Sequence, residues 1–164
     1  MPITNLLKPE VMKWFEKSLA SELYASNFYK HLANQLQRIG MFGAQSYFLK
    51  ESADELEHYQ KLVDYINDMG GVAPVPAVPK MLDPVPNIGV ALELALETEM
   101  ELMEQYKKFY SEAEDKYEDC VTATFLIFFL QTQRESVGAY MDLKARLELN
   151  PSDLFEFDEF IKEF

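Results

Sequence analysis

Three features of this chain predict an all-α fold, a four-helix bundle with a long crossover between helices two and three, followed by a short fifth helix. Four stretches space their apolar residues three and four positions apart over lengths that strands do not reach. A proline-dense segment separates the second stretch from the third. Each apolar seam is also interrupted near its middle by glutamate, histidine or glutamine, where apolar side chains would otherwise continue.

The first helix is predicted over 9–38. Pro9 suits a first helical turn, where its missing N–H has no partner to lose. From there to Arg38 there is no further proline and no glycine. Its seam reads Phe15, Leu19, Glu22, Ser26, Tyr29, Ala33, Leu36. Gly40 and Gly43 bracket a short turn into the second helix, 42–69, which stops at Gly70-Gly71, a helix-ending signal. That seam is Ala44, Phe48, Glu51, Glu55, His58, Leu62, Tyr65.

Pro74, Pro76, Pro79, Pro84 and Pro86 then exclude a helix or a central strand. At roughly 3.1 Å per residue, an extended 72–86 covers about 45 Å, and a helix of ~28 residues is about 42 Å long. The connection can therefore traverse the whole bundle and set helices two and three parallel. The third helix, 87–115, has Asn87 as its N-cap and the seam Leu92, Ala95, Glu99, Leu102, Tyr106, Phe109. The fourth, 118–149, reads Leu126, Phe129, Gln133, Ser136, Tyr140, Leu143, Leu147, and its run from Phe125 to Leu130 predicts burial against more than one neighbour. Pro151 opens the fifth, 152–162, with Leu154, Phe155, Phe157, Phe160 and Ile161 as its apolar side.

At 164 residues and 48% apolar composition, the chain is read as one domain, 1–164, with a substantial core. Acidic residues number 28 against 15 basic ones, a formal charge of −13. That balance excludes nucleic acid as a partner and suits cations. Cys120 is the only cysteine, so neither an intrachain disulfide nor a multi-cysteine metal site can form. The N-terminal stretch lacks an apolar core of signal-peptide length, and the most apolar run, Val121–Leu130, is about half of what a bilayer requires. A soluble, cytoplasmic protein is expected, with no membrane association; an organelle interior would fit if a transit peptide had been removed.

Glu51, Glu55 and His58 fall at i, i+4 and i+7 of one helix face. Buried carboxylates are costly unless they meet a cation. With Glu22, Glu99 and Gln133 at the middles of the other three seams, several carboxylates, one imidazole and one amide converge at one level. Two irons would neutralise such a set, and hard oxygen donors with a single imidazole suit iron better than a thiol-preferring metal.

These residues resemble the non-haem ferritins: SELYAS around Glu22, Tyr29 seven residues on, ESADELEHY, Gly70-Gly71, ETE around Glu99, and QTQRES near the end. The resemblance spans nearly the whole chain. It implies that Glu22, Glu55, His58 and Glu99 ligate a ferroxidase di-iron site, with Glu55 bridging. Gln133 then stands beside the second iron, and Tyr29 is the site tyrosine, able to donate a hydrogen bond or an electron.

A second ExxH on the fourth helix, as in bacterioferritins and rubrerythrins, is absent; Gln133 and Ser136 stand there instead. Ser136 and Thr132 also occupy positions where many bacterial ferritins carry further glutamates. A third iron would therefore rest on Glu51, Asp54 and Glu135 and bind weakly. No methionine is singled out as a haem ligand, His31 is read as a surface residue, and Asp115, Glu118 and Asp119 as a helix cap. The function implied is oxidation of Fe(II) by O2 or H2O2 and storage of ferric mineral in a homo-oligomeric shell of twenty-four subunits. The alternatives are a di-iron oxidase or peroxidase that stores nothing, and a metal-free structural bundle.

Overall fold

The structure, a computed structural model, describes residues 3–164; residues 1–2, part of the N-terminal stretch read for a signal peptide, lie outside it. The described residues form five α-helices: α1 (Pro9–Arg38), α2 (Phe42–Asp68), α3 (Ile88–Ser111), α4 (Cys120–Leu149) and α5 (Leu154–Glu163). No strand occurs among the described residues.

The ends of these helices follow from local chemistry. Gly40 and Gly70 take positive φ (84° and 75°), the left-handed conformation that lets a helix turn its last amides back. Met41 N–H then reaches Leu36 O and Gly71 N–H reaches Ile66 O, closing α1 and α2 with the same motif. Side chains open the later helices: Asn87 accepts from Val90 N–H, Asp119 from Thr122 N–H and Asp153 from Glu156 N–H.

Contacts at the two ends of the bundle fix its directions. At one end Phe15 of α1 meets Tyr65 of α2, Phe109 of α3 and Phe125 of α4. At the other, Tyr29 of α1 meets Phe48 of α2 and Tyr140 of α4. The late part of α2 and the late part of α3 thus lie at the same end, and these helices run parallel. The crossover makes this possible. It is extended over 72–86, buries Val85 and is tied to α1 where the His31 ring nitrogen Nε2 lies 2.8 Å from Asp83 O.

Helix α5 docks at the start of α2. Gly43 and Ala44 N–H both donate to the Asp158 carboxylate at 2.8 Å, so a residue of α5 supplies the cap that α2 lacks in its own sequence. A side chain at position 43 would collide with the Asp158 carbonyl, so glycine is needed for that approach.

Five local expectations are corrected. The third helix ends at Ser111 rather than 115, because Glu112–Lys116 widens into a π-helical turn; Glu118 then takes φ 51° to redirect the chain. The fourth begins at Cys120, one residue after its cap. Leu154 and Phe155 are exposed, Phe155 by 79%, because α5 lies across the bundle end and turns only Phe157, Phe160 and Ile161 inward. The run Phe125–Leu130 packs against α1, α2 and α3 through Phe125, Leu126 and Phe129, whereas Ile127 and Phe128 remain exposed on the far side of α4. Ser136, expected on the seam, is only half-buried, and Val137 is buried beside it. No described helix is long and apolar enough to cross a membrane.

Candidate metal centre

Each long helix delivers a polar group to the same level of the core. Glu22 of α1, Glu55 of α2, Glu99 of α3 and Gln133 of α4 are all buried, and His58 of α2 keeps a side chain 13% exposed. The seams place these groups here because i, i+3, i+4 and i+7 positions share one helix face.

Glu22, Glu55 and His58 converge most closely, each offering a ligand atom within 4.8 Å of the others. His58 Nδ1 lies 3.1 Å from Glu55 Oε2 and 3.8 Å from Glu22 Oε2. Tyr106 donates to Glu22 Oε1, whereas Glu22 Oε2 is buried with no hydrogen-bond partner. An orphaned carboxylate oxygen in a core is expensive, and its position beside an imidazole and a second carboxylate is what a cation would satisfy.

Glu99 is differently placed. Tyr29 donates to its Oε1, and the Gln133 amide, with its nitrogen turned toward Glu99, donates to Oε2 at 2.7 Å. Both oxygens are therefore already engaged. Glu51 is half-buried and accepts from Tyr140 O–H at 3.2 Å. Glu135 is 72% exposed and pairs with Arg134, its neighbour on α4; Asp54 is half-buried.

Burial is the main cause that pushes the Glu22, Glu55 and Glu99 carboxyls up, Glu22 well above the ordinary carboxylate range and Glu55 and Glu99 to about 8. Mutual repulsion among these carboxylates adds to the effect, while the Tyr29 hydroxyl partly offsets it at Glu99. With no Lys or Arg within ion-pair reach of these three carboxylates among the described residues, protons stand in for the missing positive charge. The donor set, hard oxygens with one imidazole, fits a di- or trivalent iron.

Two partners of this layer are not apparent from residue type alone, Tyr106 and Tyr140. A pattern could have found them. Tyr29 follows Glu22 by seven residues, Tyr65 follows His58, Tyr106 follows Glu99 and Tyr140 follows Gln133. Seven residues are two helical turns, so each helix sets a tyrosine two turns from its polar group. Because α2 and α3 run opposite to α1 and α4, Tyr29 and Tyr140 lie on one side of the carboxylates and Tyr65 and Tyr106 on the other.

Residues 13–148 match the family model described as a ferritin-like domain. The bacterial non-heme ferritin of Staphylococcus saprophyticus is 26% identical over 135 residues, 82% of this chain and 80% of that protein. The one from Escherichia coli O157:H7 is 25% identical over 146 residues, covering 88% and 87%. Ferritin BfrB of Mycolicibacterium smegmatis is 26% identical over 146 residues, covering 89% and 80%. In fold, the chain superposes on the open-pore ferritin of Archaeoglobus fulgidus with a TM-score of 0.92 at 20% identity, over 97% of this chain and 98% of that one. A matched family model over most of the chain, with non-haem proteins among the relatives, places this protein in the ferritin family as a non-haem ferritin.

Proposed function

We propose that this chain oxidises Fe(II) at the Glu22/Glu55/His58/Glu99 cluster, with O2 or H2O2 as oxidant, and stores the ferric product as mineral inside a homo-oligomeric shell. The observation that carries the reading is the convergence of three buried carboxylates and an imidazole around an orphaned oxygen, Glu22 Oε2. Iron is the substrate and cargo here. Twenty-four subunits is the shell size that the resemblance to ferritins implies.

In this reading Glu22 and His58 hold the first iron, Glu55 is shared between two irons, and Glu99 holds the second with Gln133 beside it. The side chains contribute charge and proton chemistry. Each arriving Fe(II) displaces protons from carboxyls that burial keeps protonated, so binding and deprotonation are one event. Anionic oxygens then favour the ferric over the ferrous state, because the higher charge gains more from the same ligands. Two Fe(II) give up two electrons. With H2O2 these electrons and two protons yield two waters; with O2 they yield H2O2, which can accept two more. Tyr106 and Tyr29 hold Glu22 and Glu99 in place while this happens.

Anaerobic titration with Fe(II) followed by air, read by ferric absorbance, tests the proposal. The expected result is rapid oxidation of about two irons per chain, followed by growth of a mineral core far exceeding that number. Oxidation that stops at two irons per chain makes the protein an oxidase that does not store. Absence of iron binding leaves only a structural bundle.

A further inference from the structure

Away from the carboxylate layer, the turn between α3 and α4 has an unusual backbone. Glu112–Lys116 forms a π-helical turn, and Glu118 takes φ 51°, a left-handed conformation that residues with a side chain rarely adopt. Tyr117 N–H reaches Glu112 O at 2.9 Å, and Asp119 N–H reaches Ala113 O at 2.8 Å. This path carries the Tyr117 side chain back toward Trp14 of α1. Glu112 Oε2 accepts from both residues, from Trp14 Nε1–H at 3.0 Å and from Tyr117 O–H at 3.1 Å. Lys8 donates to the Tyr117 carbonyl and ties the lead-in of α1 to the same turn. One carboxylate thus fixes two aromatic side chains from distant parts of the chain.

Trp14 and Tyr117 line a cleft of about 410 Å³ together with Glu10, Lys13 and Lys17. That volume is within the range of small-molecule sites. Trp14 stacks on the buried Phe109, with centroids 5.5 Å apart and planes within 9°, so one face of the indole is closed and the other is left to the cleft. The Lys17 ammonium stands 5.2 Å from the indole centroid. Lys13 and Lys17 are about one helical turn apart and share a side of α1. Neither has a carboxylate within ion-pair reach among the described residues, whereas Lys107 and Lys116 are paired with Glu104 and Glu112.

An open indole face accepts either a cation or a planar ring. The two free ammonium groups decide between them, because they repel a cation and attract an anion. On flexible stems, lysines suit a phosphate as point charges. Glu10 adds an acceptor for hydroxyl or ring N–H groups. We propose that this cleft binds a mononucleotide, with the heterocycle stacked on Trp14 and the phosphate held by Lys13 and Lys17. The ring takes the place of the Lys17 ammonium over the indole, and that lysine turns to the phosphate. The net charge of −13 does not oppose this, because exposed charges are largely screened beyond about 8 Å at physiological salt. A polynucleotide would extend past that range onto acidic surface, so a single unit fits and a strand does not. The proposal stands apart from the iron reading.

Trp14 is the only tryptophan, so its fluorescence reports this cleft. In the full, iron-free chain, AMP should quench that emission saturably. Adenosine should quench it with an affinity about tenfold weaker, and ribose 5-phosphate, which has no ring, should not quench it. Replacing both lysines, Lys13→Ala with Lys17→Ala, should weaken AMP about tenfold and leave adenosine unchanged. Both positions are exposed, so circular dichroism should stay at wild type. Lys107→Ala, outside the cleft, should change neither ligand. Quenching that rises linearly with AMP and never saturates would overturn the proposal. So would equal affinity for AMP and adenosine, quenching by ribose 5-phosphate, or an unchanged AMP affinity in the double-lysine variant.

Discussion

On the α1/α2 side of the carboxylate layer, three ligand atoms face one another and one oxygen, Glu22 Oε2, has no partner. On the α3/α4 side, Glu99 has both oxygens engaged, by Tyr29 and by Gln133. The same residue type is thus prepared in two ways. The first side leaves a cation's place open and bears the cost of an unsatisfied group; the second is already satisfied by two neutral donors, so a cation relieves less there. In the proposed function, preorganisation falls on one iron position, and the other is left able to bind and release. A storage protein needs that difference, because iron that never leaves the site cannot become mineral.

The strongest way to break this comparison is to remove the group common to both positions. Glu55→Ala should lower the rate of Fe(II) oxidation by about 100-fold or more, measured by stopped-flow absorbance, with helical content unchanged by circular dichroism. A wild-type rate in that variant would sink the site assignment. The order of filling comes next. In crystals soaked briefly in Fe(II), density beside Glu22 and His58 should reach full occupancy while that beside Glu99 lags, by about tenfold in apparent affinity. That lag corresponds to roughly 1.4 kcal/mol, the order of relieving one unsatisfied buried polar group, which only the first position offers. Equal occupancy at every soak time would contradict the asymmetry.

A pH series sharpens the cost side. Burial holds Glu55 and Glu99 up to about 8, and their ordinary range is near 4.5. Between these limits the folded iron-free chain binds more protons than the unfolded chain, so its stability is full at and below pH ~4.5 and is lost as pH rises toward about 8. Thermal midpoints of the iron-free protein should therefore fall by roughly 5–10 °C from pH 5 to pH 8. Glu55→Gln should flatten that slope, which separates the site from the general effect of the −13 charge. The smallest effect is at Gln133. Gln133→Glu adds a charged ligand to the second position and should slow each turnover after the first by a few-fold, read as a lag in repeated iron additions. Unchanged turnover would show that Gln133 does not govern release.

Much of this was legible because helical periodicity is a strong signal. Glu22, Glu55, His58, Glu99 and Gln133 interrupt apolar seams, and a seam position translates directly into a core position. The crossover was legible from prolines whose fixed φ and missing N–H leave few conformations open. What escaped depends on how helices meet. Tyr106 was expected only as a core residue, but its hydroxyl reaches Glu22 across the bundle, a contact set by the relative height of α1 and α3. Leu154 and Phe155 carry an apolar signal indistinguishable from that of Phe157, and only the crossing direction of α5 decides which of them is covered. The outward side of the Phe125–Leu130 run is exposed for the same reason: periodicity gives the faces of a helix but not the number of its neighbours.

The bond from Asp158 to the amides of Gly43 and Ala44 has a consequence for the order in which this molecule assembles. It joins positions 115 and 114 residues apart, whereas the motifs ending α1 and α2 close within five. Bringing such distant segments together costs chain entropy that only a largely formed target can repay. The start of α2 therefore stays uncapped until α5 docks. In amide exchange at equilibrium, Gly43 and Ala44 should report the opening of α5 rather than the opening of the helix they belong to.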